Sequence, residues 1–408
     1  MNKSITIISL NYYPEDTAIG LYSTQMAEYL HSKRWNVTVI TGFPYYPQWE
    51  IANNYKNKKS FIEENNNGIR ILRYKQFVPN NPTFIKRILH IVDFTLGSIF
   101  NLKKIKHTDI VLSVIPFTSS AWLGEKLAKR LHAKHWIHIQ DFEFDAAFES
   151  GIAKKNKIIN FIAKKLFKLE QTILNNANIV STISNGMLLK LSEKSNSNRF
   201  YFPNWVDNSA IDPDKSKQHA YLNSDKFKIL YSGNIGAKQD WDFFKSIAAH
   251  YQNDNRIEFI IVGDGALKSK LVADTKSIKN VLHFNPIPFA NLNDLLCATD
   301  LHILFQKSNV IDTVMPSKIL GMMASAKPSL VTGNLKSEVA KVFEISKGGT
   351  FIEASNVKKV IESIEKYISH KNIASLQGEN AQKYILNKFS KTKVLSNFEM
   401  QLKKMLHE

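Results

Sequence analysis

The stretch "KFKILYSGNIGAKQDWDFF", residues 226–244, decides how this chain is read. The β-rich run "KFKILYSG" ends at Gly233, a second glycine follows at Gly236, and Lys238 stands at the entry to a helical pattern. Strand, glycine turn and helix in that order form the opening unit of a parallel, doubly wound sheet. The same alternation has already run through the preceding part of the chain, in "ITIISL", "VTVIT", "IRILRY", "DIVLSV", "KHWIHIQ" and "NIVSTIS". A polar stretch rich in turn residues, "NWVDNSAIDPDKSKQH", separates that series from this one. The second series continues through "RIEFIIVGDG", "NVLHFN", "TDLHILF", "KPSLVT" and "GTFIE". The reading is therefore two domains, residues 1–205 and 222–389, with a boundary near 204–222. The segment from about 374 to 408 is helical by pattern, and the part from about 390 is expected to pack back on the first domain.

Length agrees, since 408 residues exceed what one core holds comfortably. With 44% hydrophobic and 22% charged residues the composition is that of an ordinary globular protein. A single cysteine, Cys297, excludes disulfides within the chain and points to a reducing cytoplasm. The apolar run before Pro14 is too short for a secretory signal and reads as a first strand. The net charge of +18 is uneven: residues 1–200 hold 27 Lys+Arg against 15 Asp+Glu, two thirds of the excess. A basic half of this kind suits nucleic acid, anionic lipid or an anionic substrate.

Two Rossmann-like halves imply a cleft lined by strand carboxyl ends, and the active site is expected there. Gly233 and Gly236, with Lys238 beside them, have the chemistry of a diphosphate site, in which backbone amides close on phosphate and a lysine adds charge. The bland alternative is a turn with a solvated lysine. In "MPSKILGMMASAKP", residues 315–328, Pro316 and Ser317 open a helix that carries Lys318 in its first turn. A cation is mildly unfavourable there, so either Lys318 and Lys238 converge on one diphosphate or Lys318 is a surface lysine whose flexible stem bends away from the dipole. In the first domain, Gly20 precedes a helix expected from about Leu21, as a close-approach glycine or simply a turn glycine.

After the strand "KHWIHIQ", Asp141, Glu143, Asp145 and Glu149 crowd together, and Asp141, nearest the strand end, is the preferred functional carboxylate. His135 and His138 are expected to be packed and hydrogen-bonded. No residue spacing calls for a metal. Two basic amphipathic stretches account for much of the charge. In the first, Ile85, Ile88, Leu89, Val92, Leu96 and Ile99 form a stripe flanked by Lys86, Arg87, Lys103, Lys104 and Lys106; the second includes Ile158, Ile159, Ile162, Leu166 and Leu169. Neither is long enough to cross a bilayer. Each is either a core-facing helix with a solvated back or a surface for an anionic membrane.

In "NYYPEDTAIG", "VTVITGFPYYP", "QDFEFDAAFESG", "YSGNIGAKQ", "VGDG" and "MPSKILGMMASAKP", taken in order, the chain resembles bacterial family 4 glycosyltransferases, most closely those of colanic-acid and O-antigen assembly. The resemblance implies the GT-B fold, two Rossmann-like doubly wound α/β domains facing across a cleft. It implies sugar transfer from a UDP- or GDP-linked nucleotide-sugar donor, with retention and with neither metal nor other cofactor. The acceptor would be a lipid-diphosphate-linked saccharide at the anionic inner face of the cytoplasmic membrane, with the protein peripheral there and no nucleic-acid partner. By the same resemblance Asp141, Lys238 and Lys318 are catalytic, Asp141 lying near the acceptor. Gly20, Gly233, Asn234, Gly236, Asp312, Pro316, Ser317 and Glu338 would serve the donor. Two glutamates common in the family fall here at Thr313 and Gly321, which leaves Asp312 as the substitute at the ribose, and Asn234 stands where an arginine is usual. The rival readings are a nucleotide-sugar epimerase on the same fold and a nucleic-acid-binding protein.

Overall fold

The computed structural model describes residues 3–115, 118–142, 157–310 and 317–407. The chain divides into two compact units, Met1–Pro203 with Leu395–Glu408, and Asn204–Val394.

The first unit is built on eight strands: β1 (Ser4–Ile8), β2 (Asn36–Gly42), β3 (Phe61–Asn66), β4 (Ile69–Tyr74), β5 (Ile110–Ile115), β6 (Lys134–Ile139), β7 (Ile179–Thr182) and β8 (Asn198–Tyr201). Their order in the sheet is β3-β4-β2-β1-β5-β6-β7-β8. All neighbours are parallel except β3, which pairs antiparallel with β4 at the edge. Near-continuous Ile/Val runs such as "SITII" and "IVLSVI" are buried along their whole length, as strands covered on both faces must be. The connecting helices include α1 (Ala18–Ser32), α2 (Asn53–Lys56), α3 (Phe84–Leu102) and α4 (Thr118–Leu131).

The second unit has six parallel strands, β9 (Phe227–Ser232), β10 (Ile257–Val262), β11 (Val281–Phe284), β12 (Leu301–Phe305), β13 (Ser329–Gly333) and β14 (Gly349–Glu353), in the order β11-β10-β9-β12-β13-β14. The chain leaves β9 towards β10 on one side, while β12 flanks it on the other. The carboxyl end of β9 is thus a topological switch point, where open α/β sheets bind ligands. The corresponding strand of the first unit is β1, between β2 and β5.

The helix Lys391–His407 hands the chain from the second unit back to the first. Phe398 stacks on Phe202 at 4.4 Å with an interplanar angle of 9° and meets Trp136 edge-on at 5.0 Å. Trp35 Nε1 donates to Glu399 Oε1 at 3.4 Å. Leu395, Phe398 and Leu402 are fully buried, each large apolar side chain contributing about 1.5–3 kcal/mol.

α3 turns its apolar stripe outward, against the core-facing one of the two alternatives. Its inward side consists of His90, Phe94, Ser98, Asn101 and Leu102, all buried. Asp93 is drawn to the same region, accepting from Tyr74 Oη at 3.1 Å and from the Phe77 N–H at 2.6 Å. The stripe Ile85, Ile88, Leu89, Val92 and Leu96 is exposed, Ile85 at 69%, Leu89 at 53% and Leu96 at 57%, and only Ile99 packs on the core. In the helix Lys157–Asn175, Leu166 and Leu169 are also exposed. No described helix is long and apolar enough to cross a membrane.

Candidate active site

At the end of β9 the backbone turns sharply. Gly233 has φ +138°, a conformation that side chains rarely adopt. A Cβ on it would lie 3.1 Å from Lys318 Nζ, so the lysine expected from sequence to reach this turn does reach it. Lys318 comes from the first turn of the helix Ser317–Ala324, and its ammonium donates to Tyr231 Oη at 2.8 Å. Nζ is also 4.5 Å from the Tyr231 ring centroid. With the hydrogen bond this short, that distance places the cation beside the phenol oxygen, so the hydrogen bond positions it. Tyr231 in turn donates to the carbonyl of Asn234 at 2.6 Å. The phenol is buried, which pushes its pKa up and keeps it a neutral hydroxyl. Trp241 packs edge-on against Tyr231 at 4.9 Å and donates through Nε1 to the Gly236 carbonyl at 3.0 Å. One aromatic pair therefore fixes both the loop and the lysine.

The turn is also braced from below. In "VGDG" a Cβ on Gly263 would fall 2.0 Å from the Gly233 carbonyl oxygen, so the two backbones touch directly. The Ile235 N–H donates to the Asp264 carbonyl at 2.8 Å, the Gly233 N–H to the Val262 carbonyl at 2.9 Å and the Gly236 N–H to Gln239 Oε1 at 3.2 Å. The Gly233, Ile235 and Gly236 amides thus donate to acceptors within the protein. The turn lies against the Lys318 ammonium, with exposed Asn234 at its tip.

Lys238 lies on the same loop with an exposed side chain; its carbonyl accepts from the Lys307 N–H at 3.1 Å, tying it to the end of β12. Ser317 is exposed at the start of its helix, whereas Asp312, Thr313 and Pro316 fall outside the described residues. Gly321 lies within that helix, and among the described residues a Cβ there would meet only Leu296 Cδ1, at 3.1 Å. Glu338 opens the helix Glu338–Ser346, half-buried, and its charge adds to burial in raising the pKa of Tyr384.

In the first unit Gly20 does not precede α1. The helix starts at Ala18, so Gly20 sits in its first turn. A Cβ on Gly20 would lie 2.7 Å from Glu15 Cβ and 2.8 Å from the Glu15 carbonyl oxygen, so its bare face makes room for the incoming loop. Glu15 is buried, Oε1 accepting from the Tyr45 and Tyr46 N–H groups at 2.8 Å each and Oε2 from Asn11 Nδ2 at 2.8 Å. Burial holds its pKa above the usual carboxylate value against those donors. Asp141 stands exposed just beyond β6; Glu143, Asp145 and Glu149 lie outside the described residues. His135 and His138 are packed and hydrogen-bonded, His135 to Ser113 Oγ at 3.0 Å and His138 to Ser181 Oγ at 2.9 Å. Burial pushes them down to about 4 and about 3, so both stay neutral near pH 7.

Residues 212–384 match the family model described as "Glycosyl transferases group 1". Over 405 residues the chain is 32% identical to an Escherichia coli (strain K12) protein named as a colanic acid biosynthesis glycosyl transferase, WcaI, covering 94% of this chain and 98% of that one. The chain belongs to the group 1 glycosyl transferases. The transferase also matches the solved sucrose-phosphate synthase of Thermosynechococcus elongatus, at TM-score 0.74 and 13% identity over 100% of both chains. It matches HepE of Anabaena in complex with UDP-glucose at TM-score 0.66 and 10% identity, over 98% of this chain and 99% of that one. At such identities the likeness shows the fold, which is GT-B.

Sequence reasoning about this transferase missed Tyr231 and Glu15. Tyr231 reads as an ordinary strand aromatic, and only its place two residues before Gly233 could have marked it. Glu15 is a lone acid in a β-to-α turn, a weak signal. Tyr231→Phe is expected to lower kcat about tenfold while leaving the fold intact, since a hydrogen bond to a charged group contributes about 1.5–3 kcal/mol. Steady-state kinetics beside thermal melting would check this, and an unchanged kcat would show that the phenol does not position Lys318.

Proposed function

We propose that this glycosyltransferase moves a sugar from a nucleoside-diphosphate sugar to a saccharide carried on a lipid diphosphate, in the assembly of a bacterial surface polysaccharide. The observation that carries the reading is the Lys318 ammonium, held by Tyr231 above the Gly233 turn at the carboxyl end of β9. A fixed cation at a switch point is suited to the charge that grows on a departing diphosphate, which is where preorganised electrostatics contribute most. The neighbour HepE has been solved with UDP-glucose, which supports a UDP-sugar as the first donor to try. The relative WcaI carries a name from colanic acid biosynthesis, which supports the polysaccharide context.

Lys318 and Lys238 supply positive charge from the chain itself in place of a metal, and the family resemblance implies retention at the anomeric carbon. Turnover is expected to be unchanged by excess EDTA, and proton NMR of the product is expected to show the anomeric configuration of the donor. A loss of activity in EDTA that added magnesium restores would refute the first point. Thermal-shift measurements against UDP-, GDP- and dTDP-sugars test the donor class; no stabilisation by any of them would count against the whole reading.

The acceptor's lipid would place the enzyme on an anionic membrane surface, and α3 is the element suited to it. Its exposed apolar side chains are flanked by Lys86, Arg87, Lys103, Lys104 and Lys106, so one face offers both apolar insertion and attraction to acidic headgroups. The double variant Leu89→Glu, Leu96→Glu is expected to sediment at least about tenfold less with phosphatidylglycerol vesicles, from the lost burial of two leucines. Its melting temperature should stay close to that of the native protein, because both side chains are exposed. Binding to DNA in place of vesicles would contradict this assignment.

A further inference from the structure

A cavity of about 330 Å³ opens in the first unit between the loop after β1 and the loop after β2. Its walls include Tyr45 and Tyr46, the prolines Pro14, Pro44 and Pro47, and the carboxylates of Glu15, Asp16 and Glu50. Neither lysine nor arginine lines it. Lys56 pairs with Glu50 Oε1 at 2.5 Å, which leaves the lining with more carboxylate than cation and disfavours a diphosphate as occupant. The wall chemistry suits a neutral, hydroxyl-rich ligand: a pyranose ring presents an apolar C–H face that packs on an aromatic ring, and hydroxyls that donate to carboxylates. The volume lies within the range of small-molecule sites.

The cavity is also built rather than incidental. Buried Glu15 ties the two loops together by accepting the Tyr45 and Tyr46 N–H groups, so the walls are held in register with each other. Tyr45 packs edge-on against Trp49 at 5.3 Å and against His90 at 4.7 Å, and the Arg87 guanidinium lies 5.2 Å from the Trp49 ring centroid. Arg87 and His90 belong to α3, so the back wall of the cavity rests on the helix that bears the exposed apolar face. Tyr46 is left with its side chain 38% exposed at the cavity mouth.

We infer that this cavity is a subsite for the neutral saccharide part of the acceptor, with Tyr46 as its stacking platform and Asp16 and Glu50 accepting from sugar hydroxyls. The inference rests on the transferase reading above and adds where the acceptor's sugar sits. It also accounts for the neighbouring arrangement, in which a lipid-linked sugar would have its lipid end towards the apolar face of α3 and its sugar one ring stack away.

Saturation-transfer NMR on the full chain, with the methyl glycosides of glucose, galactose and fucose at millimolar concentration, tests it. Ring C–H protons of at least one glycoside are expected to take saturation. Tyr46→Ala should cut that signal roughly fivefold, the scale of losing one aromatic face, and Asp16→Asn should weaken it separately. Excess inorganic pyrophosphate should leave the signal in place. The subsite is overturned if no neutral glycoside responds, if Tyr46→Ala leaves the response unchanged, or if pyrophosphate displaces the glycoside. Calorimetric titration with UDP-glucose keeps the two readings apart: equal affinity in native protein and Tyr46→Ala supports the assignment, and a matching loss in the variant would put Tyr46 at the donor and overturn it. Failure of every nucleotide sugar to bind the native protein would sink the donor reading alone, while the glycoside response would still decide the cavity.

Discussion

Lys318→Ala is expected to lower kcat by about 10²–10³-fold, the loss seen when one preorganised charge-stabilising donor is removed from an active site. The ammonium donates to the neutral phenol of Tyr231, which keeps its bond to the Asn234 carbonyl when the lysine is removed. The melting temperature should therefore change little, and the effect should fall on turnover more than on donor KM, because leaving-group charge develops mainly in the transition state. Lys238→Ala should cost less, since that side chain is exposed whereas Lys318 is half-buried and held by Tyr231. Steady-state kinetics on both variants with one active nucleotide sugar would decide. A native kcat in Lys318→Ala would remove the diphosphate assignment from this helix.

The second large effect is expected from a substitution that touches no ligand. Gly263→Ala would put a methyl group 2.0 Å from the Gly233 carbonyl oxygen, and backbone cannot rotate away as a side chain can. Either the loop lifts or β10 shifts, and overpacking of this kind costs about 1–3 kcal/mol or more. The expected result is a melting transition lowered by roughly 2–4 °C per kcal/mol, together with loss of nucleotide-sugar affinity in calorimetry. Gly321→Ala is the internal contrast. Among the described residues a methyl there would meet only the end of the flexible Leu296 side chain, and alanine is favoured over glycine in a helix by about 1 kcal/mol. That variant should be as stable as the native protein or more so, and equal melting of the two alanine variants would refute the account of the glycine contact.

These expectations show where the sequence was readable. Strand runs flanked by glycine turns identified both sheets, and the switch-point turn after β9 could be located to the residue, because burial on two faces leaves continuous apolar runs and tight turns leave glycines. β3 and β8 escaped notice. "FIEENN" is a half-exposed, charged edge strand with little apolar signal, and "NRFY" is only four residues long. Periodicity placed a stripe on α3 but gave its direction no sign, since a helix lining its inner side with His90, Ser98 and Asn101 reads inside out. At the site, Lys318 was legible because a cation in a first turn is locally unfavourable. Tyr231 was not, because a hydroxyl that positions a lysine 87 residues away leaves no trace in local pattern. The glycine-rich turn was found by its glycines, and its tight shape also lets a side chain from elsewhere approach.

The return of the last helix to the first unit also governs how the chain reaches its native state during synthesis. Trp136 and Phe202 emerge from the ribosome early, yet their cover, Phe398, is made only after the whole of the second unit, residues 204–394. At about 5–20 residues per second that interval is roughly 10–40 s. Through it the N-terminal half holds an uncovered aromatic surface, open to chaperones and to neighbouring nascent chains. The half that is translated first is thus the half that matures last.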